Sequence, residues 1–219
     1  MENCRFCGIV NNMGREQKVE DTIIAESDDY FAIASVGALV EGWILIVPKR
    51  HSCSMKHIYS DKNFELFTRD IAKALIDCYG PIIVFEHGPN REGSETSCGT
   101  DHAHIHLVPY HSIAANLEAT NLDWKKCRTS EICGIVGDNE YLFYSEVSDF
   151  NNAWENPIGQ VHILKTPVSQ FFRRIIAKDQ GNPEKFNYKV NPDSTLTIKT
   201  IARLQKYFNL CAGGQYGWK

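Results

Sequence analysis

Apolar positions in the first half of the chain fall into short runs and one helical repeat. Residues 22–26 are short and apolar, and 30–34 form a second run after the turn-like Ser27-Asp28-Asp29. Behind Gly42, residues 43–47 are almost continuously apolar, as in a strand buried on both faces, and Pro48 ends the run. Phe64, Phe67, Ile71, Ala74, Leu75 and Cys78 then recur at helical spacing. Ser60 is the expected N-cap of that helix, and Gly80-Pro81 stops it. Residues 82–85 read as a strand, 87–100 as a polar loop, and 101–108 as a strand ended by Pro109. Strands bracketing one helix predict an α+β unit with a mainly antiparallel sheet.

The second half starts near Ala115. Residues 141–145 and 161–164 read as strands, and Val168, Phe171, Phe172, Ile175 and Ile176 mark an amphipathic helix. Arg173 and Arg174 are read as the solvated side of that helix rather than as part of a phosphate pocket. A last helix follows Pro192-Asp193-Ser194, with Ile198, Ile201, Leu204 and Phe208 expected inward and a frayed tail at 212–215. Residues 29–48 and 140–164 echo each other as strand, loop, Gly-initiated strand and helix. The expected division is a catalytic unit over 1–114 and a folded extension over 115–219, a degenerate repeat if the echo is real.

Composition narrows the function classes. The 219 residues are 43% hydrophobic and 23% charged, which excludes a collagenous or disordered chain. With 23 Lys plus Arg against 27 Asp plus Glu, the formal net charge is −4. That argues against a nucleic-acid surface while leaving room for a local basic pocket. The first five residues lack the apolar stretch of a secretory signal. The longest apolar run, 31–40, is about half of the roughly 20 residues a membrane helix needs. A cytoplasmic protein with no membrane partner is therefore expected. In that setting the eight cysteines are expected to be free, metal-bound or reactive rather than paired.

The chemistry concentrates at Asp101-His102-Ala103-His104-Ile105-His106-Leu107-Val108. On a strand, alternate side chains share a face, so His102, His104 and His106 line up opposite Ala103, Ile105 and Leu107. Such a row suits a solvated edge, a three-histidine zinc site with an open position, or nucleophilic catalysis on phosphorus.

The H-A-H-I-H-L-V-P stretch at 102–109, G-W-I-L-I-V-P-K-R-H at 42–51 and C-R-F-C at 4–7 together resemble the histidine triad (HIT) superfamily, over roughly residues 1–112. The resemblance implies a five-stranded antiparallel sheet with a helix, often joined across a dimer, that binds small-molecule nucleotides. It implies His104 as the nucleophile on an α-phosphate, His106 on the non-bridging oxygens, and His102 as first member of the catalytic row. It also implies a zinc ion on Cys4, Cys7, His51 and His102, and a closed Cys₂His₂ set makes that zinc structural. The nucleotide-binding positions would be Ser35, Gly99, Thr100, His104 and His106. The chain departs from the family at several of these. Ser35 stands where an acidic ribose-binding residue is usual, and Cys98 and Gly99 where Gln and Ser or Thr are usual. Glu86-His87-Gly88 stands where an Asn often precedes the loop. His87 and Arg91 are read as plain loop residues, and Lys49 and Arg50 as solvated strand ends. The leading reading is a nucleotide hydrolase or nucleotidyl transferase. The alternatives are a nucleotide-binding regulatory module without turnover and a zinc hydrolase ligated by the three histidines. DNA-adenylate repair is not expected, because no zinc-finger pair or basic stretch is visible. Either a homodimer or an intramolecular pseudo-dimer completes the expectation.

Overall fold

A computed structural model describes residues 4–11, 18–148, 154 and 157–211. Its eight strands are β1 (Ile23–Glu26), β2 (Tyr30–Ala34), β3 (Ile44–Pro48), β4 (Ile82–Gly88), β5 (Ile105–Pro109), β6 (Lys125–Arg128), β7 (Tyr141–Val147) and β8 (Ile158–Ile163). They form one sheet in the order β1-β2-β3-β5-β4-β7-β8-β6, and every neighbouring pair is antiparallel. The helices are α1 (Arg5–Val10), α2 (Lys62–Tyr79), α3 (Ala114–Glu118), α4 (Ile132–Val136), α5 (Phe171–Asp179) and α6 (Thr195–Cys211). The fold is therefore α+β, with the expected five-stranded unit as the β1-β2-β3-β5-β4 part of a larger sheet. None of these helices is long and apolar enough to cross a membrane.

Both faces of the sheet are covered, which is why the central strands are nearly continuous apolar runs. On one face Ala32, Ile46, Val84, Leu107 and Phe143 pack with Phe64, Phe67, Ile71 and Leu75 of α2 and with Ile201 and Leu204 of α6. On the other, Phe31, Ile33, Leu45, Val47, Phe85 and Tyr144 pack with Phe6 of α1, Leu117 of α3, and Phe172 and Ile176 of α5.

The second half continues the sheet of the first. β7 runs along the whole of β4, from Ile82 opposite Val147 to Gly88 opposite Tyr141. Gly88 is required there, since a Cβ would lie 2.1 Å from the Tyr141 ring. β7, β8 and α5 follow in the same order as β2, β3 and α2. α6 then returns to the first half. Thr197 Oγ1 donates to the Ser35 carbonyl (2.8 Å), and Thr200 Oγ1 accepts from Gly42 N (2.8 Å).

Several local expectations need correction. The N-cap of α2 is Asp61, not Ser60; its carboxylate accepts from Asn63 N (2.8 Å) and from the Tyr30 hydroxyl (2.5 Å). Ile198 points outward at 48% exposure. The inward positions of α6 include Thr197 and Thr200, whose hydroxyls satisfy buried backbone groups that isoleucine could not. β5 begins only at Ile105. The backbone before it bonds elsewhere, with Ala103 N donating to the Ser52 carbonyl (2.6 Å). The short α1, α3, α4 and β6 went unread, and the tail at 212–215 lies outside the described residues.

One buried group makes the fold sensitive to pH. Glu86 of β4 is fully buried and accepts from Met55 N (2.7 Å), Tyr59 OH (2.6 Å) and Tyr141 OH (2.6 Å). Burial pushes its carboxyl from 4.5 up to about 7, against the pull of those donors and of the nearby Lys56 charge. A carboxyl raised by folding gives its full stability below the unfolded value and loses it as pH climbs through the folded value. The gap between 4.5 and about 7 corresponds to roughly 3 kcal/mol. Thermal melts should therefore show the native chain losing roughly 8 °C more than Glu86→Gln between pH 5 and pH 8. Equal slopes in the two proteins would contradict this account.

Candidate functional site

Two elements end at one corner of the sheet, and α1 packs over them. Cys4 is the N-cap of α1 and Cys7 lies one turn later, so both thiols face the same way. His51 follows β3 and His102 precedes β5, its neighbour in the sheet. One potential ligand atom from each of the four residues falls within 4.8 Å of the others, the one such grouping among the described residues. His102 Nδ1 lies 3.3 Å from Cys4 Sγ and 3.6 Å from Cys7 Sγ, and His51 Nδ1 lies 3.3 Å from Cys7 Sγ. Sulfur and nitrogen ligands on neighbouring corners of a tetrahedral metal site stand about 3.5 Å apart, so the donor set fits such an ion. His102 Nε2 donates to the Pro48 carbonyl (2.8 Å), which leaves Nδ1 as the bare nitrogen toward the thiols. His51 Nε2 lies 3.3 Å from Glu92 Oε1.

The other two histidines of the row face a different space. A carbonyl only accepts, so His104 Nδ1, 2.8 Å from the His102 carbonyl, must carry its proton and leave Nε2 bare. An indole N–H only donates, so His106 Nδ1, 2.9 Å from Trp43 Nε1, must be the bare nitrogen, and Nε2 carries the proton. The His104 and His106 rings are 4.9 Å apart. His106 stacks on Phe85 at 4.6 Å. Burial holds both imidazoles below their ordinary value, and the neighbouring His104, His87 and Arg173 charges push His106 further down, so both rings are neutral near pH 7. The pair thus sets a bare nitrogen beside an N–H donor.

The expected row of three is therefore divided. His104 and His106 line a cleft on the α1/α5 face of the sheet, and His102 is turned to the thiols instead. That division removes the geometry a zinc hydrolase on all three histidines would need. Ser35 and Thr100 line the same cleft. Gly99 does not; its N–H donates to Ser97 Oγ (3.3 Å), and Thr100 N donates to the Ser97 carbonyl (3.0 Å). The backbone donors of Gly99 and Thr100 are thus already engaged within the turn.

Two cleft residues, and one buried residue that bonds to the cleft, were missed or misread. Trp43, read only as the start of a strand, sets the protonation of His106. His87 belongs to β4, lines the cleft, and has a buried Nε2 with no partner; burial, then the His104 and Arg173 charges, push it down to about 3. Arg173 is 4% exposed and lines the cleft instead of facing water. Its Nε donates to the Phe186 carbonyl (2.8 Å) and Nη2 to that of Gly37. The guanidinium lies 4.9 Å from the Trp43 ring and 5.5 Å from that of Tyr188. A sequence signal existed: Phe172, Arg173, Ile176 and Ala177 form one buried helical stripe.

No family model matches the chain. A curated relative, the uncharacterized 16.1 kDa HIT-like protein of Mycoplasma pneumoniae, is 28% identical over 112 residues, covering 49% of this chain and 71% of the relative. Among solved structures, a HIT-like protein involved in cell-cycle regulation from Bartonella henselae is 20% identical, with TM-score 0.38, over 51% of this chain and 83% of its own. A HIT family hydrolase from Clostridium thermocellum is 23% identical, with TM-score 0.36, over 52% and 96%. A histidine triad protein from Clostridium difficile is 25% identical, with TM-score 0.35, over 51% and 94%. The three motifs and the curated relative make this chain similar to HIT-like proteins over its N-terminal half, where the histidine row lies.

Proposed function

We propose that the chain is a nucleotide hydrolase or nucleotidyl transferase working through a covalent intermediate on His104. The observation that carries this is the bond from His104 Nδ1 to the His102 carbonyl, which leaves Nε2 bare in the cleft. Nε2 attacks the α-phosphorus of a bound nucleotide, forming a P–N bond as the bond to the leaving group breaks. His106, with its proton on Nε2, donates to a non-bridging oxygen while charge builds there. The leaving group takes up a proton from solvent or from the cleft. Water or another acceptor then attacks the same phosphorus and gives up its proton to solvent, the P–N bond breaks, and neutral His104 is restored with its proton on Nδ1. His102 acts as a positioning residue through its carbonyl. Ser35 and Thr100 border the nucleotide, and Gly99 shapes the turn at φ +83°.

Incubation with a radiolabelled dinucleotide followed by denaturation should trap label on the native chain and none on His104→Ala. The same substitution should lower turnover of the responding substrate by at least about a thousandfold. Unchanged turnover would remove His104 from the role. Binding without label or turnover would favour the regulatory module instead, an outcome to which Ser35 and Gly99 lend some support.

Cys4, Cys7, His51 and His102 are proposed to hold a structural zinc. When bound it would fasten α1 to the segment before β5 and leave no open position for chemistry. Elemental analysis after gentle purification should give about one zinc per chain, and Cys7→Ser should lower Tm by roughly 10 °C. Less than about 0.2 zinc per chain would overturn the assignment.

The intramolecular pseudo-dimer is the preferred assembly, because β7 already pairs along the whole β4 edge. Sedimentation should then show a monomer of 24.9 kDa, and a tight dimer through the triad unit would count against it.

A further inference from the structure

We propose that the C-terminal half builds a second anion subsite beside the triad, in which Arg173 reads a further phosphate of the same substrate, beyond the one His104 attacks. The inference rests on nucleotidyl transfer for the identity of the bound molecule, while the anion site itself stands without it.

Charge is the first ground. Arg173 is 4% exposed, and no carboxylate pairs with it among the described residues. A buried charge without a counter-ion is costly, and the two backbone carbonyls and two aromatic faces around it supply dipoles rather than neutralisation. Nη1 meets no protein acceptor among the described residues, so part of the guanidinium fork is free for a ligand. Burial lowers the group only to about 10, so it stays charged near pH 7.

The surroundings point the same way. The cleft is lined by two arginines and three histidines and by no Asp or Glu. One of the arginines, Arg5, is already paired with Asp21 at 2.7 Å, which leaves Arg173 as the uncompensated cation. The orphaned Nε2 of His87 is a polar atom buried at the same cleft without a partner. Lys189 brings a further ammonium to the turn between the cleft residues Cys98 and Thr100: a Cβ on Gly99 would lie 2.2 Å from Lys189 Nζ. Tyr188, between these two cations in the chain, lines the cleft and donates its hydroxyl to the Cys98 carbonyl (3.1 Å). In a chain of net charge −4, the second half has thus placed a buried, unpaired cation at this cavity. The substrate class this selects is a nucleotide whose leaving group is itself phosphorylated, in preference to one joined to an uncharged amine.

Calorimetric titration of inorganic pyrophosphate into the full-length chain tests the subsite without turnover. Arg173→Met should weaken binding at least about tenfold, with Arg173→Lys between it and the native chain. Native-like affinity in a properly melting Arg173→Met, or no binding by the native chain at about 10 mM, overturns the proposal. Should Arg173→Met fail to fold, the native protein decides. Its Arg173 Nε–H resonance, assigned by its absence in Arg173→Lys, should move on adding pyrophosphate, and a resonance that stays put overturns the subsite. Kinetics add the specificity arm. In Arg173→Lys, KM should rise several-fold for a nucleotide with a phosphorylated leaving group, with kcat little changed, and stay within about twofold for an adenylated neutral amine. Equal changes for both substrates would make Arg173 merely structural. If neither compound is turned over, nucleotidyl transfer fails while the pyrophosphate titration still decides the anion site.

Discussion

His102 joins three parts of the molecule through three polar groups. Its Nε2 donates to the carbonyl at the end of β3, its Nδ1 faces the two thiols of α1, and its own carbonyl holds Nδ1 of His104. A displacement of this residue would be felt at the strand, the Cys/His cluster and the candidate nucleophile together. The chain joins the ladder only at Ile105, after the His102 carbonyl has been taken by His104. A regular strand would have spent the His102 carbonyl on a neighbour and left His104 free to take either tautomer.

The continuous sheet supplies the second constraint. Because β7 pairs along all of β4, the segment after β8 emerges on the α1 face, and α5 lays Phe172 against Phe85, the ring on which His106 stacks. Arg173 arrives at the cleft as the neighbour of that Phe172. The same geometry gives the molecule its uneven charge, acidic overall and cationic at one cavity. α6 closes the arrangement by bonding Thr197 and Thr200 to the 35–42 segment, whose Gly37 carbonyl also receives Arg173. The two halves are thereby tied at three places, none of which is local in sequence.

Much of this was legible in the residues. The strands at 30–34 and 43–47 and the helix stopped by Gly80 follow from runs and spacing, because their partners are supplied by the whole apolar core and no single contact matters. The four candidate metal ligands were legible only through the resemblance to the HIT superfamily, because a C-x-x-C alone does not name its partners. The short α1, α3, α4 and β6 were not, because fewer than seven residues carry too little periodicity. The outward turn of Ile198 was hidden for a different reason: hydrophobicity counts methyl groups, while two threonine hydroxyls were needed to satisfy buried backbone.

By itself, then, the sequence determined the α+β unit and the histidine row, since periodicity is written locally, while the Cys₂His₂ set came from its resemblance to the HIT superfamily. Only the tertiary structure decided how the row is divided, with His102 toward the thiols and His104 and His106 toward the cleft. It alone decided that Trp43 sets the His106 tautomer and that Arg173 is buried beside them. Those outcomes depend on which donor meets which acceptor across 63 residues from Trp43 to His106, or 136 from Gly37 to Arg173. Pairings over such distances are set by the register of the sheet and the packing of α5, which no local pattern encodes.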